Sequence, residues 1–396
     1  MLVDDLLSTT DEGLAALDYH PNIQVRIFNP WHGRETTVGK GFEFVSKMDR
    51  LNQRMHNKLM VADNHVTIVG GRNIGDEYFG ISSKFNFRDM DVITIGPIAR
   101  EVSRSFDIYW NHDWAYAGDA FADEAATADQ FEQVKRDIQD NIEKSRELLE
   151  QFTIEPQPWS EQLDVLVSKS STGPMWVVYD DPPVSVAGGK QVRKIERLDE
   201  LDVTIQKEML IVSAYFIPDE EDIEYIRRLT EKGITVRILT NSLGSNDEII
   251  TNSAYKYKRI PVLETGAELY ETRYDAKDRI LSEDPRVQAK WLGLHSKFIV
   301  VDRKTAYVGS LNLDPRSLKI NTEMGLVIED PVLGEELARI AERDMRPENA
   351  WQVKLDEQGK LYWVSGDVRV TSQPARTFWR RIGDGFFSLL PIKDQL

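Results

Sequence analysis

Two histidines of this chain sit in matching surroundings. The first stretch is Met55-His56-Asn57-Lys58 running on to Asp63 and then Gly70-Gly71-Arg72-Asn73; the second is Leu294-His295-Ser296-Lys297 running on to Asp302 and then Gly309-Ser310-Leu311-Asn312. In each, Lys follows His by two, Asp follows Lys by five, and a Gly-Gly or Gly-Ser pair precedes an Asn. Side chains two apart on a strand share a face, so each His-Lys pair points one way. A lone His-x-Lys is ordinarily a solvated strand face. Here two of only six His carry the same five-point context, and that coincidence marks a site.

Two imidazoles, two ammoniums and two amides suit displacement at phosphorus. One neutral His can attack, and a protonated one can supply the proton that a departing alkoxide needs. An ordinary His pKa near 6.5 serves both tasks if neighbours push the two values apart. Lys58 and Lys297 would pair with non-bridging phosphate oxygens, and Asn73 and Asn312 would donate to the same group. Gly70, Gly71, Gly309 and Ser310 would leave room for it. Asp314-Pro315 reads as an N-cap followed by Pro at the first helical position, which would bring a helix N-terminus close to the phosphate.

The elements that must hold these residues follow from the flanking pattern. Apolar runs after each Lys predict a β-hairpin, with turns at Asp63-Asn64-His65 and Asp302-Arg303-Lys304. Further strands are predicted over 22–28, 91–95, 175–179, 208–215, 234–239 and 267–271. Helices are predicted over 11–19, 43–54, 98–112, 197–206, 219–232 and 248–259. Residues 115–151 are acidic and read as helical, with a long helix over 129–151. Residues 152–172 read as an irregular connector. Alternating strands and helices predict an α/β layered fold. The repeat extends past the motifs, because 323–331 aligns without gaps on 89–97. The second copy carries strand–helix–strand material before Thr240 that the first lacks before Val3, so the first lobe is expected to be N-terminally incomplete by roughly sixty residues. The expected domains are a first lobe over 1–114, an acidic helical connector over 115–172, a second lobe over 173–345, and a C-terminal hairpin and amphipathic tail over 346–396.

Composition bounds the chemistry. The 396 residues contain no Cys, which excludes disulfides, thiolate nucleophiles and Cys-ligated metals. No apolar run approaches the roughly 18 residues of a membrane span. A net charge of −17 argues against non-specific nucleic-acid tracking, which usually needs a basic groove. His20, His32, His65 and His112 lack metal-ligand spacing and read as surface or loop residues.

The paired His-x-Lys-x4-Asp motifs, with their Gly-Gly/Ser-x-Asn, resemble the phospholipase D superfamily over nearly the whole chain. The segments around Arg50–Lys58, Val69–Phe79 and Gly309–Ser317 resemble bacterial cardiolipin synthases, particularly the C-type. The resemblance implies two pseudo-symmetric lobes, each a mixed sheet flanked by helices, with one site between them and no metal or other cofactor. It implies His56 as nucleophile and His295 as acid/base. It also implies a carboxylate downstream of each motif that orients a His; the ungapped alignment makes these Asp89 and Glu323. Asp63 and Asp302 fall on the other strand parity and read as structural. Arg72 stands where the second copy has Leu311, and is either substrate-facing or a surface residue.

The implied reaction is phosphatidyl transfer that makes cardiolipin, with phosphatidylglycerol and a second phospholipid as substrates. The alternatives are a hydrolytic phospholipase D, a nuclease of the superfamily, or a non-catalytic lipid-binding protein. Nucleases of that kind are often short, with one motif per chain. The implied setting is a bacterial membrane surface, without nucleic acid; no partner protein is named. The segment 376–390, with Phe378, Trp379, Ile382, Phe386, Phe387, Leu389 and Leu390 beside Arg376, Arg380 and Arg381, suits either a helix lying in a lipid interface or one docked on the protein.

Overall fold

The computed structural model describes residues 1–5, 11–31, 48–121, 126–150, 160–183 and 204–387. In the first half the strands are β1 (Leu2–Asp4), β2 (Arg26–Phe28), β3 (Leu59–Ala62), β4 (Val66–Gly70), β5 (Phe85–Arg88), β6 (Asp91–Ile95) and β7 (Ala115–Ala117). In the second they are β8 (Met175–Tyr179), β9 (Glu208–Ser213), β10 (Thr235–Asn241), β11 (Glu268–Thr272), β12 (Trp291–Leu294), β13 (Lys297–Val301), β14 (Thr305–Gly309), β15 (Met324–Glu329), β16 (Ala350–Leu355), β17 (Leu361–Ser365) and β18 (Val368–Val370).

Both motifs form the expected hairpins, and they are copies in register as well as in sequence. Leu59 pairs with Val69 and Gly70 with Asp91 in β3-β4-β6; Phe298 pairs with Val308 and Gly309 with Gly325 in β13-β14-β15. The turns match too. Asp63 and Asn64 have φ of 51° and 56°, and Asp302 and Arg303 have 51° and 55°. Successive left-handed residues suit the right-handed twist of a tight hairpin.

The copies differ in burial. Phe298-Ile299-Val300-Val301 is apolar on both faces and lies inside a ten-stranded sheet of order β18-β17-β16-β11-β10-β9-β13-β14-β15-β8. Helix Glu220–Glu231 covers one face with Ile223, Ile226 and Leu229; helix Pro331–Asp344 covers the other with Leu337, Ala338 and Ala341. Among the described residues, Ile98 and Val102 of helix Ile98–Trp110 cover one face of the three-stranded β3-β4-β6 sheet. Met60, Ile68, Ile93 and Ile95 on the other face are exposed. The covered face packs on the second lobe, where Val69 joins Met324, Leu326 and Ile328 in one apolar cluster. The fold is therefore mixed α/β, with two pseudo-symmetric lobes in contact.

Several local expectations need correction. Ala115–Ala117 is a strand antiparallel to β2, not helix; three residues are too few to show a period. The acidic helix runs Ala128–Lys144, capped by Thr127 and Gln130, and breaks at Ser145 before a short turn Arg146–Leu149. The connector holds a helix, Ser160–Lys169. The helix predicted over 248–259 is two, Ile249–Tyr255 and Arg259–Glu264. Pro261 accounts for this: it sits in the first turn of the second helix, and a continuous helix would clash there. Of the helix predicted over 43–54, only Met48–Leu51 is helical and 43–47 lie outside the described residues. Of that over 197–206, residues 197–203 lie outside them and 204–206 are not helical. The C-terminal hairpin adds strands to the large sheet, β16 pairing antiparallel with β11.

Two cross-lobe seams hold the halves together. β5 pairs in parallel with β12. Beside that seam, Arg88 Nη1 lies 2.8 Å from Asp344 Oδ1, with both side chains buried, while Nη2 donates to the Asp278 carbonyl at 3.0 Å. Removing one member of such a pair leaves a buried charge uncompensated, which costs about 3–5 kcal/mol. Asp344→Ala should therefore lower unfolding free energy by about 3 kcal/mol or more. Denaturant titration followed by Trp fluorescence checks this, and a loss below about 1 kcal/mol, typical of exposed pairs, would contradict it.

Candidate active site

The backbone brings each motif to the opposite lobe. Residue 55 bridges residue 322 in parallel; the His56 amide donates to the Thr322 carbonyl at 3.0 Å, and the Thr322 amide to the Arg54 carbonyl at 2.9 Å. The next residue, Glu323, then faces the His56 ring, and Nδ1 lies 2.8 and 3.0 Å from its two carboxylate oxygens. The second motif repeats this arrangement in reverse. The amides of His295 and Ser296 both donate to the Arg88 carbonyl, and His295 Nδ1 lies 2.7 Å from Asp89 Oδ2. Each imidazole is thus oriented by a carboxylate from the other lobe. A carboxylate at Nδ1 holds that nitrogen as the N–H and leaves Nε2 free for chemistry.

Glu323 and Asp89 are themselves fixed. Ser310 Oγ donates to Glu323 Oε2 at 2.5 Å and accepts from the Met324 amide at 3.0 Å, and the Glu323 amide donates to Asp180. Ser310 thus positions the carboxylate rather than making space. A Cβ on Gly71 would lie 2.4 Å from Asp89 Oδ1, and one on Gly309 only 2.3 Å from the Met324 carbonyl. Gly70 is equally tight against Asp91. A side chain at any of these three positions would run into the protein's own carboxylates or strand neighbours.

The lysines lie beside the imidazoles. Lys58 Nζ donates to the His56 carbonyl at 2.8 Å; Lys297 Nζ donates to the His295 carbonyl at 2.5 Å and lies 2.8 Å from His295 Nδ1. Burial dominates the electrostatics. It pulls Lys58 down to about 7 and Lys297 to about 8, with the other ammonium adding to the effect at Lys58. It also lowers His56, against the pull of Glu323, and lowers His295 well below the usual range, helped by Lys297 and Lys58. Burial raises Asp89 to about 6 despite Lys297 beside it. Each positive charge is thus held at a cost that an incoming anion would relieve.

The two amides are not equivalent. Asn73 is exposed and donates to the Tyr78 hydroxyl at 2.8 Å; Asn312 is buried, and its Oδ1 has no partner among the described residues. Arg72 resolves as a clamp: Nε bonds Asp91 at 2.6 Å and Nη1 bonds the Tyr78 carbonyl, which orders the loop after Asn73. Asp302 accepts from the amides of Gln206, Lys207 and Glu208, as its structural reading requires, while Asp63 sits exposed in its turn. Asp314 caps helix Pro315–Lys319 through the Ser317 amide as expected. His20 packs on Phe131, His112 on Phe28 and Trp114, and His65 bonds the Asp63 carbonyl, all away from the site, and His32 lies outside the described residues. Among the described residues no group of three His, Asp or Glu could hold a metal ion.

Sequence reading missed Tyr78 and Phe87, whose rings lie 5.0 and 5.1 Å from the His295 ring. Neither belongs to the repeated pattern, so no internal copy points to them. The nearest signal was position, since Tyr78 follows Asn73 by five.

A family model described as "Cardiolipin synthase, PLD-like domain" matches residues 202–345. Cardiolipin synthase C of Escherichia coli K12 is 32% identical over 409 aligned residues, covering 99% of this chain and 83% of that protein. Cardiolipin synthase 1 of Bacillus anthracis is 25% identical over 76% of this chain and 48% of its own length. The crystal structure of phosphatidylserine synthase from Haemophilus influenzae Rd KW20 has the same fold, with a TM-score of 0.55 at 16% identity, over all of this chain and 82% of that one. With a relative so similar along nearly its full length, the chain belongs to the phospholipase D-like cardiolipin synthase family.

Proposed function

We propose that this protein transfers a phosphatidyl group through a phospho-His56 intermediate and makes cardiolipin from two phospholipids, phosphatidylglycerol being one. The observation that carries this reading is the exchanged pair of His–carboxylate contacts around two ammoniums, Lys297 buried and Lys58 half-buried. His56 Nε2 attacks phosphorus, and the bond to the leaving alcohol's oxygen breaks as His295 Nε2 delivers a proton to it. The hydroxyl of the second lipid then attacks, His295 takes its proton, and the phosphorus–nitrogen bond breaks with its electron pair returning to His56. Lys58 and Lys297 stabilise the charge that builds on the non-bridging oxygens. Part of the lowering of His295 comes from those ammoniums. A bound phosphate offsets them and so favours the protonated form of His295. Water in place of the second lipid gives phosphatidic acid, the hydrolytic alternative.

The setting in this reading is peripheral, on a bacterial membrane. None of the described helices is long and apolar enough to cross a bilayer. Helix Phe378–Phe387 has the reverse of the usual polarity. Asp384 and Arg380 face inward, Asp384 bonded to Asn252 and Lys256 and Arg380 to the Leu243 and Asn246 carbonyls, while Arg381 is exposed. Its aromatics face outward, Phe378 being 67% exposed, Trp379 76% and Phe386 61%. It is docked, yet it offers the aromatic face of an interfacial helix.

His56→Ala should abolish the covalent phosphatidyl-enzyme adduct, read by intact-protein mass spectrometry after quenching. His295→Ala should lose about 10²–10⁴ in rate with an alkyl leaving group and much less with p-nitrophenol. Adduct and turnover surviving in His56→Ala would sink the nucleophile assignment.

The pH profile of kcat/KM on a soluble diester should be bell-shaped. Asp89 must be ionised to hold the His295 Nδ1–H, so rate falls as pH drops through about 6. Lys58 and Lys297 must be protonated, so it falls again as pH rises through about 7 to 8. A flat profile from about pH 5 to 9 would contradict this.

Trp379→Glu combined with Phe386→Glu should weaken sedimentation with anionic vesicles by roughly tenfold or more, since each buried aromatic contributes about 1.5–3 kcal/mol. Hydrolysis of a soluble diester should persist. Unchanged vesicle binding would make the helix purely structural.

A further inference from the structure

We propose that Asp247 recognises the alcohol partner of the reaction, accepting a hydrogen bond from a second hydroxyl of a polyol headgroup such as glycerol. This rests on the transferase reading and deepens it by naming the residue that selects the acceptor.

Asp247 ends the loop that follows β10, and that loop is tied to the site. Asn241, the last residue of β10, accepts from the Leu294 amide at 2.9 Å and donates to the Leu294 carbonyl at 2.7 Å, which fixes the residue before His295. Ser242 Oγ donates to the Thr272 carbonyl, and the Arg380 guanidinium donates to the carbonyls of Leu243 and Asn246. Asp247 Oδ1 accepts from the Tyr215 hydroxyl at 2.9 Å. The Tyr215 carbonyl in turn accepts from the Leu313 amide, next to Asn312 of the second motif. Oδ2 is left without a hydrogen-bond or ion-pair partner among the described residues. The carboxylate is held on two sides, partly open to solvent, with one oxygen free.

These hydrogen bonds set the loop against the second motif, through Leu294 beside His295 and through Tyr215 and Leu313 beside Asn312. In keeping with that placement, the Asp247 charge is felt at His295, at Lys297 and at Tyr78, whose ring meets the His295 ring edge-on. His295 handles the proton of both the departing and the incoming alcohol, so this side of the phosphorus is where alcohols sit. The surroundings of Asp247 carry both signs, Glu248 following it in sequence and the charges of Lys297, Arg376 and Arg380 also felt there. A hydroxyl is a good donor to such a carboxylate, since a hydrogen bond to an ionised acceptor is among the stronger ones. When a glycerol primary hydroxyl attacks phosphorus and yields its proton to His295, the adjacent secondary hydroxyl can donate to Asp247 Oδ2. Water and simple alcohols have no such second group.

The experiment is a competition. The full chain receives a short-chain phospholipid donor with a choline or ethanolamine headgroup, in buffer containing glycerol and 1-propanol at equal concentration. Phosphatidylglycerol, phosphatidylpropanol and phosphatidic acid are then quantified by mass spectrometry. The unaltered protein should prefer glycerol. Asp247→Ala should lose that preference by roughly tenfold or more, and Asp247→Asn and Tyr215→Phe by less. Phosphatidic acid formed in the same tubes reports that a variant is folded and active; if Asp247→Ala yields none, the Asn and Phe variants carry the comparison. A carboxylate that acted only by its field on His295 would slow both alcohols equally, so an unchanged glycerol-to-propanol ratio overturns the proposal. If the unaltered protein makes phosphatidic acid but no alcohol product, the transferase reading itself falls, and this one with it.

Discussion

The exchange of carboxylates between lobes is the constraint from which most of the molecule follows. Glu323 faces His56 and Asp89 faces His295, so neither lobe holds a complete histidine of its own. The backbone seams at Met55–Thr322 and at β5–β12 exist at the places where that exchange happens. A shift of one residue in either seam would turn the carboxylate to the opposite face and leave an imidazole without its partner. The buried Arg88–Asp344 pair lies one residue from Asp89, so a buried ion pair between the halves sits next to a carboxylate of the site. Stability of the lobe interface and geometry of the site are here the same property.

The electrostatic state of the site points the same way. Two lysines and two histidines crowd a buried space against two orienting carboxylates, and burial has already drawn Lys58 to about 7 and Lys297 to about 8. Such a site is poorly balanced until an anion arrives. A phosphodiester supplies the missing negative charge, restores both ammoniums and allows one imidazole to be protonated while the other stays neutral. Preorganised charge of this kind acts most strongly where charge develops in the transition state. It also explains how an acidic chain can bind lipid phosphate: the net charge of −17 describes the surface as a whole, not the site.

Much of this was legible in the residues, and the part that was not has definite causes. His56, Lys58, His295 and Lys297 announce themselves because the chemistry fixes residue types and strand parity fixes their spacing, and the chain carries the pattern twice. Asp89 and Glu323 were reachable because the repeat aligns without gaps around them. Their crossing was not, since a repeat in sequence says nothing about which copy faces which. Which neighbour requires each glycine was not legible either, because the fold supplies it; at Gly71 a Cβ would meet Asp89. Tyr78, Tyr215 and Asp247 lie outside the repeat, on three separate segments that only the fold brings to His295. Ala115–Ala117 is too short to show a period, and it becomes a strand because β2 offers an edge. The break at 256–258 was readable in principle, because Pro261 starts a second helix there; the expected helix stopped at 259 and did not use it.

The asymmetry between the lobes carries the last step. The second lobe wraps its motif in a ten-stranded sheet with helices on both faces; the first holds its own on three strands with one face exposed. His295 is accordingly buried, whereas the side chain of His56 keeps 23% of its surface. A nucleophile must be reached by a bulky phosphodiester and later release its adduct, which suits the more open position. A proton carrier is better held where water cannot compete for the proton, and His295 has Tyr78 and Phe87 against its ring. The pseudo-twofold site is thus symmetric in its residues and asymmetric in its environment, and that asymmetry is what supports the two proposed roles.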